Sequence, residues 1–146
     1  MATQPYMDPT HLLRVQVLGP DAEPVAAAEL GRLFPRIPPR TPRYERLTRF
    51  PKVVVTSGSR TVGLAVYQTA GGELRVPELA LVAPAAGGVR DVLALVLDAL
   101  EAACLASGSR RIILIPPTQS HGLLRRRGYQ LIAEGCAGTW MEKTFQ

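Results

Sequence analysis

An α/β fold, with helices on the faces of one mixed sheet, is what this sequence predicts, on three observations. The first is the clearest helix in the chain. Val89, Val92, Leu93, Val96, Leu97 and Leu100 recur at spacings of three and four and share one face. The second is the strand that follows. Ile112 to Ile115 is an unbroken apolar run, the pattern of a strand covered on both faces. The third is a set of three strand-like runs before the helix, separated by short glycine-bearing turns.

In chain order, "HLLRVQVLG" alternates Leu13, Val15 and Val17 with polar residues and reads as a strand. "DAEPVAAAELGRLF" reads as a helix, with Asp21 as N-cap and Pro24 in the first turn. Five prolines in "PRIPPRTPRYERLTRFP" then leave room for one short helical piece around Tyr44 to Leu47. The strands "KVVVT", "TVGLAVYQ" and "LRVPELALVAP" form an antiparallel meander through the turns "SGSR" and "AGGE". Val62, Leu64 and Val66 fall on one face by simple alternation. The long helix, Val89 to Ala106, is about 27 Å long. A strand, a helix and a strand make a βαβ unit, so "RIILI" runs parallel to the strand ending at Val82. "SHGLLRRRG" is a short helix closed by Gly128, and "YQLIA" and "TWMEKTF" are a final hairpin. No linker or repeat interrupts residues 1–146, which points to a single domain.

The apolar fraction is 47% and the charged fraction 20%, ordinary for a globular chain, while aromatics are only 5%. The core must therefore be built from Leu, Val, Ala and Ile. A net charge of +5 favours anionic partners. Cys104 and Cys136 belong to no CxxC pair, and His11 and His121 lie far from both, so no metal site is expected. Two buried free thiols in a reducing cytoplasm are the expectation instead. "MATQPYMDPTH" carries neither a basic nor an apolar leader region. The most apolar stretch, Val92 to Ala106, holds Asp98 and Glu101 and is too short to span a bilayer.

This order of elements resembles that of the GCN5-related N-acetyltransferase (GNAT) superfamily, over about Leu12 to Phe145. In that family the strand before the long helix often reads Glu-x-Leu-x-Val-x-Pro. Here Glu78 stands six residues before Pro84, with Leu79 and Leu81 one step out of place. The family's short helix typically ends in a Gly-Phe pair, and here Gly128 and Tyr129 follow it.

The resemblance implies direct transfer of an acyl group from acetyl-CoA, or another acyl-CoA, to an amine. It implies that Glu78 is the base, with burial raising its pKa into a useful range. Backbone amides at the strand end, at Leu81 and Val82, would hold the thioester oxygen. The loop and helix start, Gly87, Gly88, Val89 and Arg90, would hold the pyrophosphate through unpaired N–H groups.

The loop departs from the family pattern of Gln or Arg, two residues, Gly, one residue, Gly or Ala. Ala85 takes the first place, Gly88 matches the glycine, and Arg90 stands at the last place. Two opposite readings follow. Either Arg90 pairs directly with a phosphate, or it fills the phosphate's space while Asp91 repels it. Asp91 also complements the helix dipole, and Gly87–Gly88 also suits a tight turn. The family's acidic tyrosine, four residues before the glycine of the Gly-Phe pair, is Leu124 here. Ser120, His121 and Tyr129 are the candidate substitutes.

Two basic runs complete the reading. Arg125, Arg126 and Arg127 suit the last turn of a helix. Arg32, Arg36, Arg40, Arg43, Arg46, Arg49 and Lys52 precede the meander, opposed in sequence only by Glu45. They suggest an anionic acceptor, as a small molecule or a protein amine, or else a solvated surface. No stacking platform accompanies them, which argues against nucleic acid. The last strands offer an edge to a second copy. The alternative to an enzyme is a non-catalytic binding or regulatory module on the same fold, with a degenerate coenzyme A site.

Overall fold

The computed structural model describes residues 12–145 apart from 21, 23, 24, 85–87 and 137. Seven strands form one mixed sheet in the order β1-β2-β3-β4-β5-β7-β6. Strands β1 (Leu13–Leu18), β2 (Lys52–Ser57), β3 (Arg60–Ala70) and β4 (Glu73–Leu81) run antiparallel, each beside the next. Strand β5 (Arg111–Leu114) lies parallel to β4, as the intervening helix requires. Strand β7 (Gly138–Thr144) pairs with β5, which pushes β6 (Gln130–Gly135) to the edge.

Helices cover both faces. Helix α3 (Val89–Ala106) buries Val92, Leu93, Val96, Leu97, Leu100 and Cys104 against one face of the sheet. Helices α1 (Ala27–Leu33) and α2 (Pro42–Arg49) bury Leu30, Leu33 and Leu47 against Val54, Leu64 and Val66 on the other. The first helix is shorter than its sequence suggests. Its N-cap is Ala26, which makes no side-chain hydrogen bond, and the expected cap Asp21 and Pro24 lie outside the described residues. The second is longer than the Tyr44–Leu47 piece. Pro42 occupies the first helical turn, where a missing N–H costs nothing, and Thr41 Oγ1 accepts from Tyr44 N at 3.2 Å.

Two irregularities set the side-chain faces. Between Val55 and Thr56 of β2, strand β3 carries one extra residue, Val62. This bulge turns Val62 toward α3 while Leu64 and Val66 face α1 and α2. Simple alternation had put all three on one face; one inserted residue reverses the parity. The second bulge lies between β3 and β4. From Val66/Glu78 to Gln68/Arg75, β3 uses Tyr67 alone while β4 uses Val76 and Pro77. Proline has no N–H for the ladder, so a bulge is where a strand interior tolerates it. Leu74 and Val76 therefore face α3 before the bulge, and Glu78, Ala80 and Val82 face the opposite side after it.

The short helix α4 (His121–Arg126) closes with Gly128 at φ +94°. Gly128 N donates to Arg125 O at 3.1 Å and Tyr129 N to Leu124 O at 3.0 Å. These two bonds are a Schellman closure, and the Leu124 and Tyr129 side chains it brings together both lie in the core. Arg127 does more than complement a helix dipole. Its guanidinium donates to Asp98 at 2.5 Å and Glu101 at 2.8 Å, which ties the end of α4 to α3. Of the two thiols only Cys104 is buried; Cys136 is exposed at the β6–β7 turn, which corrects the expectation of two buried thiols.

The α1–sheet seam is partly electrostatic. Glu29 accepts from Arg32 Nη2 at 2.5 Å and from Thr61 N at 2.9 Å. The Arg32 bond, then the Thr61 bond, hold the Glu29 carboxyl below its ordinary range, against the opposing effect of burial. A lowered native pKa means stability present above the ordinary value of 4.5 and lost as pH falls through the native value. Glu29→Gln should therefore be less stable than the parent near neutrality. The gap should close between about pH 5 and pH 3, as read by urea melts across that range.

The β3–α3 seam is steric. A Cβ on Gly63 would come within 2.7 Å of Val92 Cγ1, with Val55 and Val96 at 3.4 Å. The nearest atom belongs to a stiff β-branched side chain locked in the core. Gly63→Ala should cost about 1–3 kcal/mol by denaturant unfolding. Gly31→Ala, in α1 with nothing within 4 Å, should instead gain about 0.5–1 kcal/mol.

Candidate functional site

The site grows from the second bulge. Strand β5 pairs with β4 only from Glu73 to Val76. Beyond Pro77, strand β4 runs on to Leu81 with no strand among the described residues paired to that edge. Val82 N donates to Val62 O at 2.7 Å, so the even-numbered residues of this stretch bond to β3. The N–H and C=O groups of Leu79 and Leu81 then point toward the open edge. Of the two amides singled out from sequence, that of Leu81 faces the gap and that of Val82 is committed to β3.

Glu78 opens this stretch, and its side chain lies on the α1/α2 face with Ala80 and Val82, the face its sequence position implied. It is 7% exposed and is the only buried carboxylate among the described residues. Its partner is Arg43 in the first turn of α2. Arg43 Nε donates to Oε1 at 2.5 Å and Arg43 Nη2 to Oε2 at 3.0 Å, a two-pronged pair. The Arg43 side chain remains 54% exposed. Bonding to Glu78 raises the Arg43 pKa further above its already high value. Sequence reasoning found both residues but not the pair, because 35 residues separate them and only the packing of α2 on the sheet joins them.

At the far end of the open edge stands the N-terminus of α3. Gly88 is its N-cap, at φ −122° and ψ 170°, and forms no side-chain cap. Those angles are open to any residue, and among the described residues a Cβ there would meet nothing nearer than Arg90 N at 3.9 Å. Within the described residues, neither backbone angle nor packing requires a glycine at this position. Gly87, Ala85 and Ala86 lie outside the described residues. Asp91 reaches back to Gly88 N at 3.4 Å, so it holds one amide of the first turn. Arg90 is exposed and has no ion-pair partner among the described residues.

At the end of β4, against the β2–β3 turn, a cleft of about 350 Å³ is lined by Arg32, Arg60, Gly58, Val82 and Pro84, among others. It places two more cations near the end of β4. The basic run before the meander is thus divided by the fold. Lys52 is buried, and its ammonium donates to Phe50 O at 2.8 Å and Thr48 O at 3.4 Å at the end of α2. Burial lowers its pKa. Arg32 is held by Glu29 and Arg43 by Glu78, while Arg36, Arg40, Arg46 and Arg49 are exposed. Glu45 is not their only opposing charge once the chain is folded.

The candidate acids separate clearly. Leu124, at the family tyrosine's place, is fully buried core. Tyr129 is 2% exposed, and burial pushes its hydroxyl far above the ordinary range, which unfits it as a proton donor. Ser120 spends its hydroxyl on Pro117 O at 2.6 Å. His121 Nε2 is buried without a hydrogen-bond partner among the described residues. No cluster of three metal-ligating side chains occurs among the described residues, and none of their helices is long and apolar enough to cross a membrane.

No protein-family model matches the chain, and no curated protein matches it in sequence. Solved structures do. The N-acetylglutamate synthase of Neisseria gonorrhoeae, solved with coenzyme A and N-acetyl-glutamate, superposes with a TM-score of 0.68 at 11% identity. The match covers 92% of this chain and 35% of that one, so this chain spans about a third of the synthase. An acetyltransferase of Streptococcus agalactiae gives a TM-score of 0.71 at 11% identity, over 91% of this chain and 98% of that one. The PaiA N-acetyltransferase of Thermoplasma acidophilum, solved with coenzyme A, gives 0.62 at 11% identity, over 92% and 99%. At these identities the likeness is one of architecture, and the open-edged sheet described above is the fold of the GCN5-related N-acetyltransferases.

Proposed function

We propose that the chain is an acyl-CoA-dependent N-acyltransferase that passes an acetyl group from the thioester to an amine. The observation that carries this reading is the open edge of β4 between Leu79 and Leu81, with a buried carboxylate at one end and an accessible helix N-terminus at the other. Acetyl-CoA supplies the activated acyl group. The residues fit it on one structural ground: Gly88 leaves space above the first turn of α3 that no backbone or packing requirement among the described residues explains. Gly88, Val89 and the cation of Arg90 would hold phosphate there, together with Gly87 of the adjoining loop. Asp91 competes for one amide, so the charge of Arg90 offsets a carboxylate as well as a phosphate.

Glu78 accepts the proton that the acceptor ammonium must lose before its nitrogen can attack. The Leu81 amide faces the side on which negative charge gathers on the carbonyl oxygen. The new carbon–nitrogen bond forms as the carbon–sulfur bond breaks, the electron pair leaves on sulfur, and the nitrogen's second proton passes to the thiolate through solvent. A thiol of ordinary pKa near 8.5 is a fair leaving group, so the absence of a tyrosine at Leu124 slows the reaction without forbidding it. The acceptor is an amine, small or protein-borne, and the exposed arginines beside α2 favour one bearing negative charge. Reaction at a cytoplasmic thioester pool is part of the same reading.

A second reading keeps the fold and the coenzyme site but drops the chemistry. Its support is the fully buried Leu124 together with an Asp91 that occupies one amide. Free-thiol release from acetyl-CoA with a panel of amines separates the two. Under the transferase reading, release depends on an amine, and Glu78→Gln lowers kcat/KM by about 10²–10⁴-fold. Coenzyme A binding with no thiol release for any amine would leave only the binding module. Calorimetry with acetyl-CoA should show Arg90→Glu binding about tenfold more weakly, more so at low salt. Unaltered affinity would remove the helix start from the site.

A further inference from the structure

Among the ion pairs of the described residues, Glu78–Arg43 has the most deeply buried carboxylate. Glu101, for comparison, is bonded by Arg127 and Lys143, whose side chains are themselves about a quarter exposed. That cluster stitches α3 to α4 and β7. Glu78 is a buried carboxylate whose single ion-pair partner is more than half exposed and comes from a helix 35 residues away. The guanidinium bonds both oxygens of the carboxylate, while its own side chain stays half in solvent.

This arrangement bears on what amine can be accepted, and it rests on the transferase reading only for the role of Glu78. An ammonium that comes to Glu78 meets Arg43 already there. Two cations would then share one carboxylate in a half-buried place, a net charge of +1. A ligand that brings its own carboxylate beside its ammonium changes the balance. Its ammonium takes Glu78 and its carboxylate takes the released guanidinium, so two ion pairs replace one and the local charge stays at zero. Arg43 stands against both Glu78 oxygens, at 2.5 and 3.0 Å, so the exchange displaces it least when the ligand's two charges are close together. One carbon between ammonium and carboxylate gives that spacing; a charge on a distant arm needs a larger movement of Arg43.

We infer that the acceptor site selects an amino-carboxylate, of the α-amino-acid class, and that Arg43 is the specificity-determining residue that exchanges Glu78 for the ligand's carboxylate. A planar guanidinium that bonds two oxygens at once suits this exchange better than an ammonium. Because Arg43 is exposed, water partly compensates for a missing carboxylate, so the preference is moderate, about tenfold rather than thousands.

The test is binding, which does not depend on turnover. The twenty L-amino acids and their carboxamides are titrated by calorimetry into the protein, alone and with coenzyme A. At least one amino acid should bind about tenfold or more tightly than its own carboxamide. Arg43→Gln should compress that ratio toward one, and Arg43→Lys should keep part of it; a cooperative thermal melt confirms that each variant folds, Arg43→Gln melting lower because it leaves a buried carboxylate unpaired. The inference is overturned if no amino acid binds, if carboxamides bind equally well, or if Arg43→Gln preserves the ratio. Amino-acid preference without thiol release would sink the transferase reading and keep this one. Thiol release with simple amines and no carboxylate preference would do the reverse.

Discussion

The constraint on which the site depends is the extra residue at Val76–Pro77. A proline in an inner strand removes a ladder donor, and the chain answers with a bulge. Three consequences follow from that one irregularity. The β4–β5 ladder stops at Val76. The side-chain parity of β4 reverses, so Glu78 turns from the α3 face to the α1/α2 face. The amides of Leu79 and Leu81 are left along an edge no strand covers. A regular strand here would bury the same glutamate's position under α3 and would close the gap.

Around that gap the protein sets charge with economy. The buried carboxylate of Glu78 is balanced by Arg43, and the positive end of α3 is partly balanced by Asp91. Neither balance is complete. Arg43 is half in solvent, and the remaining amides of the first turn have Arg90 beside them with no partner of its own among the described residues. Other arginines are tied down: Arg32 to Glu29, Arg111 to Glu73 and Glu142, Arg127 to Asp98 and Glu101. Exposed positive charge stands near α2 and near the α3 N-terminus, the two ends of the open edge.

The long helix, the meander and the parallel strand were legible because each has a strong local cause. A 3–4 apolar spacing, glycine turns and an isoleucine-rich run act over a few residues and survive any context. The limits of the first two helices were not. Pro42 starts α2 where a count of prolines suggested only a break, since proline's effect depends on whether it falls in the first turn or the interior. The faces of β3 were misread for a similar reason: Val62 is apolar whichever way it points, and nothing local marks it as the inserted residue. At the candidate site, Glu78 and the α3 N-terminus were singled out by the family resemblance, and the pairing of Arg43 with Glu78 was not, since Arg43 looked like one arginine of seven basic residues.

By itself, then, the sequence determined the inventory: the order of strands and helices, if not every limit, and which glutamate and which glycines stand around the start of the long helix. Those properties follow from side-chain chemistry over a single turn or strand. Only the tertiary structure decided which way Glu78 faces, which amides stay unpaired and which cation closes over the carboxylate. Each of these is settled by pairings between residues far apart in the chain, where a one-residue shift in register exchanges the two sides of a strand.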